Sequence, residues 1–211
     1  IGGCVGDIEA LPFVEAVRQF KWEQGDENVI TIHLTLVPYL KSAGELKTKP
    51  TQHSVKNLSE SGIQPDILVC RTEHPLTVDI RKKIALFSNV QQKYVIESID
   101  AETIYDVPLL MQKEMLDVRA LEKLELPLKN EPELKSWNEF LFRLKNPVSE
   151  VNIALVGKYV ELKDAYKSIA EAFIHAGAAN TCKVNVDWIH SEKLLDDNVY
   201  ELLSHYDGIL V

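Results

Sequence analysis

One lysine-rich segment holds the densest set of ligand-binding side chains in this sequence. Gly44-Glu45-Leu46-Lys47-Thr48-Lys49-Pro50-Thr51-Gln52-His53-Ser54 places two ammonium groups, two threonine hydroxyls and a glutamine amide beside a helix start. Ammonium groups, hydroxyls and helix N-terminal N–H groups are all donors suited to phosphate. Pro50 restricts the backbone and so lowers the entropy lost when the loop orders around a ligand. The same residues also describe a solvated lysine loop, and spacing alone leaves the two readings level. Lys83 falls beside the apolar stripe of a later helix, where a solvated lysine is the default.

Gly2-Gly3-Cys4-Val5-Gly6-Asp7-Ile8-Glu9 is the second segment of interest. Its three glycines permit close backbone approach and positive φ, and two carboxylates follow at a helix start. Either Asp7 caps that helix from a tight turn, or the block meets a ligand. It is neither a G-x-G-x-x-G nor a Walker A sequence, so by itself it makes no phosphate cradle. Three strand ends also present polar residues: Arg71, Asp100, and Lys158 with Tyr159. Ligands of open α/β sheets bind outside the carboxyl ends of strands. Each of these residues alone also fits a solvated loop charge.

Those residues need elements to position them, and the apolar pattern supplies a parallel α/β framework. Strands are predicted at 29–37, 66–70 and 94–99. A helix follows Thr51 up to Gly62, and another runs from a Thr77 cap with Ile80, Ile84 and Phe87 on one face. Strand–helix alternation implies βαβ units and a largely parallel, buried sheet. After Leu126 the chain turns polar and proline-punctuated, so 1–126, 127–149 and 150–211 read as a first domain, a connection with a short helix around Trp137, and a second domain. The second starts a flavodoxin-like alternation: strand 151–157, a helix from about Asp164 to Ala176, strand 184–189, a short helix near Tyr200, and a last apolar run at 208–211. That run and the opening glycine turn both lack neighbouring elements, which reads as an internal fragment of a longer chain.

The chain has 211 residues, of which 45% are hydrophobic, and a net charge of -9 from 23 basic and 32 acidic residues. That acidity excludes a general nucleic-acid or anionic-membrane binder, but not a small anion held by local cations. No apolar run reaches the ~18 residues of a membrane helix. Three scattered cysteines fit a reduced, cytoplasmic thiol population, and no His or Cys spacing matches a transition-metal site.

Four blocks in order resemble one family. G-G-x-V-G-D-I-E with L-P-F, then L-K-T-K-P-T-Q-H-S, then R-K-K-I-A-L-F-S-N-V, then A-L-V-G-K-Y-x-E-L-x-D-A-Y-K-S are similar to CTP synthase across essentially all 211 residues. The resemblance implies a P-loop-like amidoligase sheet, present in part, followed by the start of a flavodoxin-like class I glutamine amidotransferase domain. It implies an enzyme that uses ATP and Mg2+ to phosphorylate the 4-oxygen of UTP. Ammonia from glutamine then displaces that phosphate to give CTP, with GTP as allosteric activator and a cytoplasmic homotetramer as the assembly.

By the same resemblance, Asp7, Ile8 and Glu9 contact the pyrimidine nucleotide. Lys47, Thr48, Lys49, Pro50, Thr51 and Gln52 hold UTP or CTP phosphates, often across a subunit interface, and Lys83 serves the same nucleotide, with Phe87 nearby. Ile99, Asp100 and Ala101 lie beside the ATP adenine, and Arg71 near its phosphates. Lys158, Tyr159 and Lys167 resemble residues where GTP acts. The family's phosphate loop, magnesium ligands, oxyanion turn and nucleophilic cysteine all fall outside this stretch, so it holds no catalytic or metal residue and would be inactive alone. Cys4 stands where a threonine is common, and Lys163 where a proline is common. Two rival readings remain: a non-catalytic assembly module, and another ATP-dependent amidoligase of the dethiobiotin or cobyrinate type, which has no need of the K-T-K-P-T-Q-H-S block.

Overall fold

A computed structural model describes residues 4–211, with the side chain of Lys163 excepted; Ile1, Gly2 and Gly3, including the first two glycines of the glycine block, lie outside the described residues. The chain divides into two compact units, Ile1–Glu131 and Pro132–Val211.

In the first unit a 3-10 turn, Ile8–Ala10, leads into α1, Leu11–Gln24. Then come β1, Ile32–Leu36; a short hairpin of β2, Tyr39–Leu40, and β3, Glu45–Leu46; and α2, Lys49–Glu60. β4, Ile67–Thr72, α3, Val78–Ser88, and β5, Val95–Ile99, follow, and α4, Val107–Lys113, with α5, Leu116–Lys123, close the unit. The three longer strands form a parallel sheet in the order β1-β4-β5, while β2 and β3 pair antiparallel. Thr77 caps α3 as its sequence position predicts, its hydroxyl accepting from the Ile80 N–H at 3.3 Å. Gly62 ends α2 in the left-handed region at φ 81°, where a side chain would be strained and would also press on Arg18.

The central strand β4 is buried on both faces, as parallel strands usually are. β1 departs from that pattern. His33 and Thr35 point under α2, whereas Ile32, Leu34 and Leu36 on the other face are 45–66% exposed. The helices packed on that other face cover only its far side, where Met111, Leu116 and Ala120 lie over Ile67, Val69 and Ile96. The stripe predicted for α3 is also shifted. Ile84 is fully buried and Ile80 half-buried, but Phe87 is 59% exposed and Ala85 and Ser88 take its place against the core.

The buried face of β1 is polar in its middle. His33 Nε2 and the Ser54 hydroxyl share a 2.8 Å hydrogen bond. The Thr51 hydroxyl donates to the Leu36 carbonyl at 3.0 Å and lies 3.2 Å from the Thr35 hydroxyl, which reaches Cys70 Sγ at 3.6 Å. Burial pushes the Cys70 thiol up to about 11, so it is a packing group rather than a nucleophile.

In the second unit α6, Lys135–Lys145, precedes β6, Ser149–Gly157. Next come α7, Lys167–Asn180, β7, Cys182–His190, α8, Val199–Leu203, and β8, Gly208–Leu210. The strands are parallel in the order β7-β6-β8, so the first strand lies between the next two, as in doubly wound sheets. The helix read as part of the connection packs onto α7, with the Phe140 and His175 rings edge to face at 5.8 Å. No helix among the described residues is long and apolar enough to cross a membrane.

Burial of His33 lowers its pKa below the ordinary 6.5, because the charged ring loses its water. The unfolded chain therefore takes up a proton where the folded chain does not, and stability falls as pH drops through 6.5 toward the folded value. Melting temperature measured from about pH 7.5 to about pH 5.5 should fall more steeply for the unaltered chain than for His33→Gln. Parallel slopes would show that His33 is not the group responsible.

Candidate functional site

The carboxyl ends of β1, β4 and β5 bring the lysine segment and the Arg71 loop to one edge of one sheet. Their roots are joined, since the Val37 N–H donates to the Arg71 carbonyl at 2.8 Å. The β2–β3 hairpin leaves the end of β1 and delivers Lys47, whose N–H returns to the Pro38 carbonyl at 2.9 Å. Thr48 precedes α2, and Lys49 and Pro50 open it. Proline is tolerated there because a first-turn N–H has no partner within the helix.

The structure divides the six residues of the lysine segment into two groups. Lys49 and Pro50 are exposed, and Lys47 and Gln52 are half-buried. Thr48 and Thr51 are 5% and 0% exposed. The Thr48 hydroxyl accepts from Gln52 Nε2 at 3.0 Å, and that of Thr51 is bonded to β1 as described above. Their hydroxyls hold the loop, which leaves the two ammonium groups and the N-terminal N–H groups of α2 as outward-facing donors. Sequence spacing weights all six alike because it carries no sign of which side faces β1.

The Lys47 ammonium pairs with the Glu45 carboxylate. Glu45 is held below the usual carboxylate range, chiefly by that hydrogen bond, with the charges of Lys47 and Lys83 contributing. Lys83 on α3 makes the smallest of these contributions to Glu45. Among the described residues Lys49 has no ion-pair partner. An exposed pair such as Lys47–Glu45 contributes little stability, so an incoming polyanion can displace the carboxylate at low cost.

At the neighbouring strand ends, Arg71 Nε donates to Asp100 Oδ1 at 2.9 Å, and the Asp100 N–H donates to the Thr72 carbonyl. Ile99 and Ala101 are half-buried on either side. Arg71, Ile99, Asp100 and Ala101 therefore form one local cluster. The glycine block is placed differently. Asp7 does not cap a helix; its carboxylate accepts from the Cys4 N–H at 2.7 Å and closes its own turn. Ile8 and Glu9 are exposed, and the turn rests against Asn57 on α2. Eight residues of helix separate Asn57 from Lys49, roughly 12 Å along the axis. Among the described residues no hydrogen bond or ion pair joins Asp7, Ile8 or Glu9 to the lysine segment.

A partly buried ion cluster behind the Arg71 loop escaped the sequence reading. Arg81 grips Glu114 bidentately at 2.6 and 3.0 Å and donates to the Val95 carbonyl at 2.9 Å. Glu97 accepts from the Leu76 N–H at 2.5 Å, and its own N–H donates to Glu114. Hydrogen bonding to Glu114 raises the Arg81 pKa further. Burial acts to raise the Glu114 pKa, but the bonds from Arg81 and the Glu97 N–H together outweigh it and leave the carboxyl below its ordinary 4.5. One signal was available: a glutamate inside the otherwise apolar strand 94–99 needs a buried partner.

A groove of about 550 Å³ lies at the opposite edge of the sheet, where Arg18, Lys21, Trp22 and Asp66 line it. Its cations are paired, Arg18 with Glu15 and Lys21 with Asp66. In the second unit Tyr159 sits at φ 57° beyond β6, and the Tyr166 hydroxyl donates to the Lys158 carbonyl at 2.5 Å. A methyl group at Gly157 would press on the Tyr166 hydroxyl and displace that ring. Lys167 pairs with Glu171 at 3.3 Å. Among the described residues no three His, Cys, Asp or Glu side chains gather to hold a metal ion.

A parallel α/β sheet with lysines, an arginine and a helix N-terminus at its carboxyl edge defines an open-sheet α/β protein with candidate anion donors at its strand ends. Residues 1–126 match the family model described as the CTP synthase N-terminus, and the chain belongs to the CTP synthase family. It is 72% identical to the CTP synthase of Cytophaga hutchinsonii and 65% identical to that of Christiangramia forsetii, each over all 211 residues and 39% of the relative's length. Against the CTP synthase of Methanocaldococcus jannaschii it is 59% identical over 217 aligned positions, covering 40% of that protein. The chain thus spans about two-fifths of the length of these relatives.

Replacing Arg81 by Ala leaves two carboxylates without their cation. The expected loss is roughly 2–3 kcal/mol, below the ~3–5 of a fully buried pair because these side chains keep some solvent contact. Urea unfolding should show the double variant Arg81→Ala/Glu114→Ala losing less than the sum of the two single variants, and strict additivity would remove the claimed coupling.

Proposed function

We propose that this chain is the pyrimidine-nucleotide portion of a glutamine-hydrolysing CTP synthase, a ligase that converts UTP to CTP with ATP and glutamine. The observation that carries this reading is the convergence of Lys47, Lys49, Lys83 and the α2 N-terminus beside the Arg71–Asp100 loop, in an acidic protein of that family. Two triphosphates that react with one another need concentrated positive charge and fixed mutual placement, and these two loops supply both.

In this reading Lys47 and Lys49 bind the UTP phosphates, with Lys47 exchanging Glu45 for the nucleotide. Lys83 adds to the local potential. Thr48, Thr51 and Gln52 hold the loop, and Pro50 fixes the first turn of α2. Arg71 meets the ATP phosphates, and Ile99, Asp100 and Ala101 flank its base. Asp7, Ile8 and Glu9 act on a nucleotide held by the lysine segment of a second copy, consistent with their separation from that segment within one chain. This calls for self-association, proposed as a homotetramer, in the cytoplasm.

Magnesium would neutralise the triphosphates and is assigned to residues outside this stretch. Domains at 1–126 and 150–211 with a connection at 127–149 complete the assignment. The second of these is proposed as the start of the glutamine amidotransferase domain, with Lys158, Tyr159 and Lys167 toward the GTP activator.

In the full-length protein, Lys47→Ala and Lys49→Ala should each raise the KM for UTP about tenfold or more, as loss of a charge-assisted phosphate contact implies. The KM for ammonia should be little changed. Unaltered UTP kinetics in both variants would reject the assignment.

A further inference from the structure

Tyr39 and His74 belong to none of the motifs considered so far, yet their rings meet between the two strand-end loops. The centroids are 4.1 Å apart with 57° between the planes. Tyr39 opens the hairpin that ends in Lys47, and His74 follows Arg71 by three residues.

The two partners differ in how firmly they are held. The Thr72 hydroxyl, 1% exposed, donates to the His74 carbonyl at 2.8 Å and accepts from the His74 N–H at 3.3 Å. Two residues on, the Leu76 N–H is tied to Glu97, whose cluster reaches α3 and α4. His74 therefore sits on a pinned loop. The hairpin has only two residue pairs, Tyr39 with Leu46 and Leu40 with Glu45, and a ribbon of that size does not hold its shape in water unaided. Leu46 packs against the core and fixes the base of the hairpin. Beyond the Val37–Arg71 backbone bond at its root, the Tyr39 ring adds a side-chain contact to the Arg71 side.

We propose that His74 is a positioning residue for the pyrimidine-nucleotide loop: its ring buttresses Tyr39, so that the lysine hairpin and the Arg71 loop keep one mutual geometry. The inference rests on the reading of Lys47–Gln52 as the UTP site and adds a residue that acts through another rather than on a substrate. Without the buttress the hairpin must be ordered by the nucleotide itself, and that ordering is subtracted from UTP affinity.

The test is steady-state kinetics of the full-length protein with ammonia as nitrogen donor, comparing His74→Ala, His74→Phe, Tyr39→Leu and the double variant His74→Ala/Tyr39→Leu. His74→Ala should raise the KM for UTP roughly two- to tenfold, the range of one ring–ring contact, with kcat and the KM for ATP little changed. His74→Phe should restore UTP affinity, and the double variant should be no worse than the weaker single variant. If His74→Ala leaves UTP affinity intact while Lys47→Ala lowers it, the buttress is wrong and the nucleotide site stands. If neither variant affects UTP, both readings fall. Equal impairment of His74→Phe and His74→Ala would overturn the ring contact in favour of a role for the imidazole nitrogens.

Discussion

The bond between the Thr51 hydroxyl and the Leu36 carbonyl ties the first turn of α2 to the carboxyl end of β1, and the rest of the site is arranged around that join. Apolar packing attracts a helix to a sheet without fixing its register, because the hydrophobic effect has no direction. Hydrogen bonds do fix it. Thr35, Thr51 and the His33–Ser54 pair put directional contacts under α2, where a parallel strand would ordinarily show only valine, isoleucine and leucine. A buried hydroxyl without a partner would be costly, and these groups satisfy one another. The helix N-terminus, and with it Lys49 and Pro50, is thereby held at the ligand edge.

Two kinds of ion pair surround that edge, and they have different consequences. Lys47 with Glu45 and Arg71 with Asp100 are exposed, so water already screens them and a phosphate can replace the carboxylate. Arg81 with Glu97 and Glu114 is partly buried, bidentate and supplemented by backbone bonds, so no ligand competes for it. The first kind holds Lys47 and Arg71 beside exposed carboxylates. The second anchors the loop between Thr72 and Leu76 through the Leu76–Glu97 bond. A chain of net charge -9 thus still gathers Lys47, Lys49 and Arg71 at one end of one sheet.

In the second unit the corresponding edge is shaped by sterics more than by charge. Gly157 and the left-handed Tyr159 let the chain turn sharply after β6, and Tyr166 closes the turn by bonding back to Lys158. Residues 4–7 make a comparable local closure in the first unit, where Asp7 bonds back to Cys4. In both places a polar side chain satisfies backbone of its own loop, leaving the neighbouring residues exposed.

The strands, the Thr77 cap, the Gly62 stop and the parallel order were legible in the sequence because each depends on residues a few positions apart. Periodicity, capping and turn formation are local properties of the chain. The gathering of Arg71, Asp100 and the lysine segment at one end of the sheet was legible too, since all of them follow predicted strands. Four features were not: the burial of Thr48 and Thr51, the exposure of Phe87, the Arg81–Glu97–Glu114 cluster and the Tyr39–His74 contact. Each depends on which face of one element meets another far away in sequence, and residue types alone do not encode that pairing. Local chemistry specified the elements and where the charges lie; long-range packing decided which of those charges are free to meet a ligand and which hold the loops that carry them.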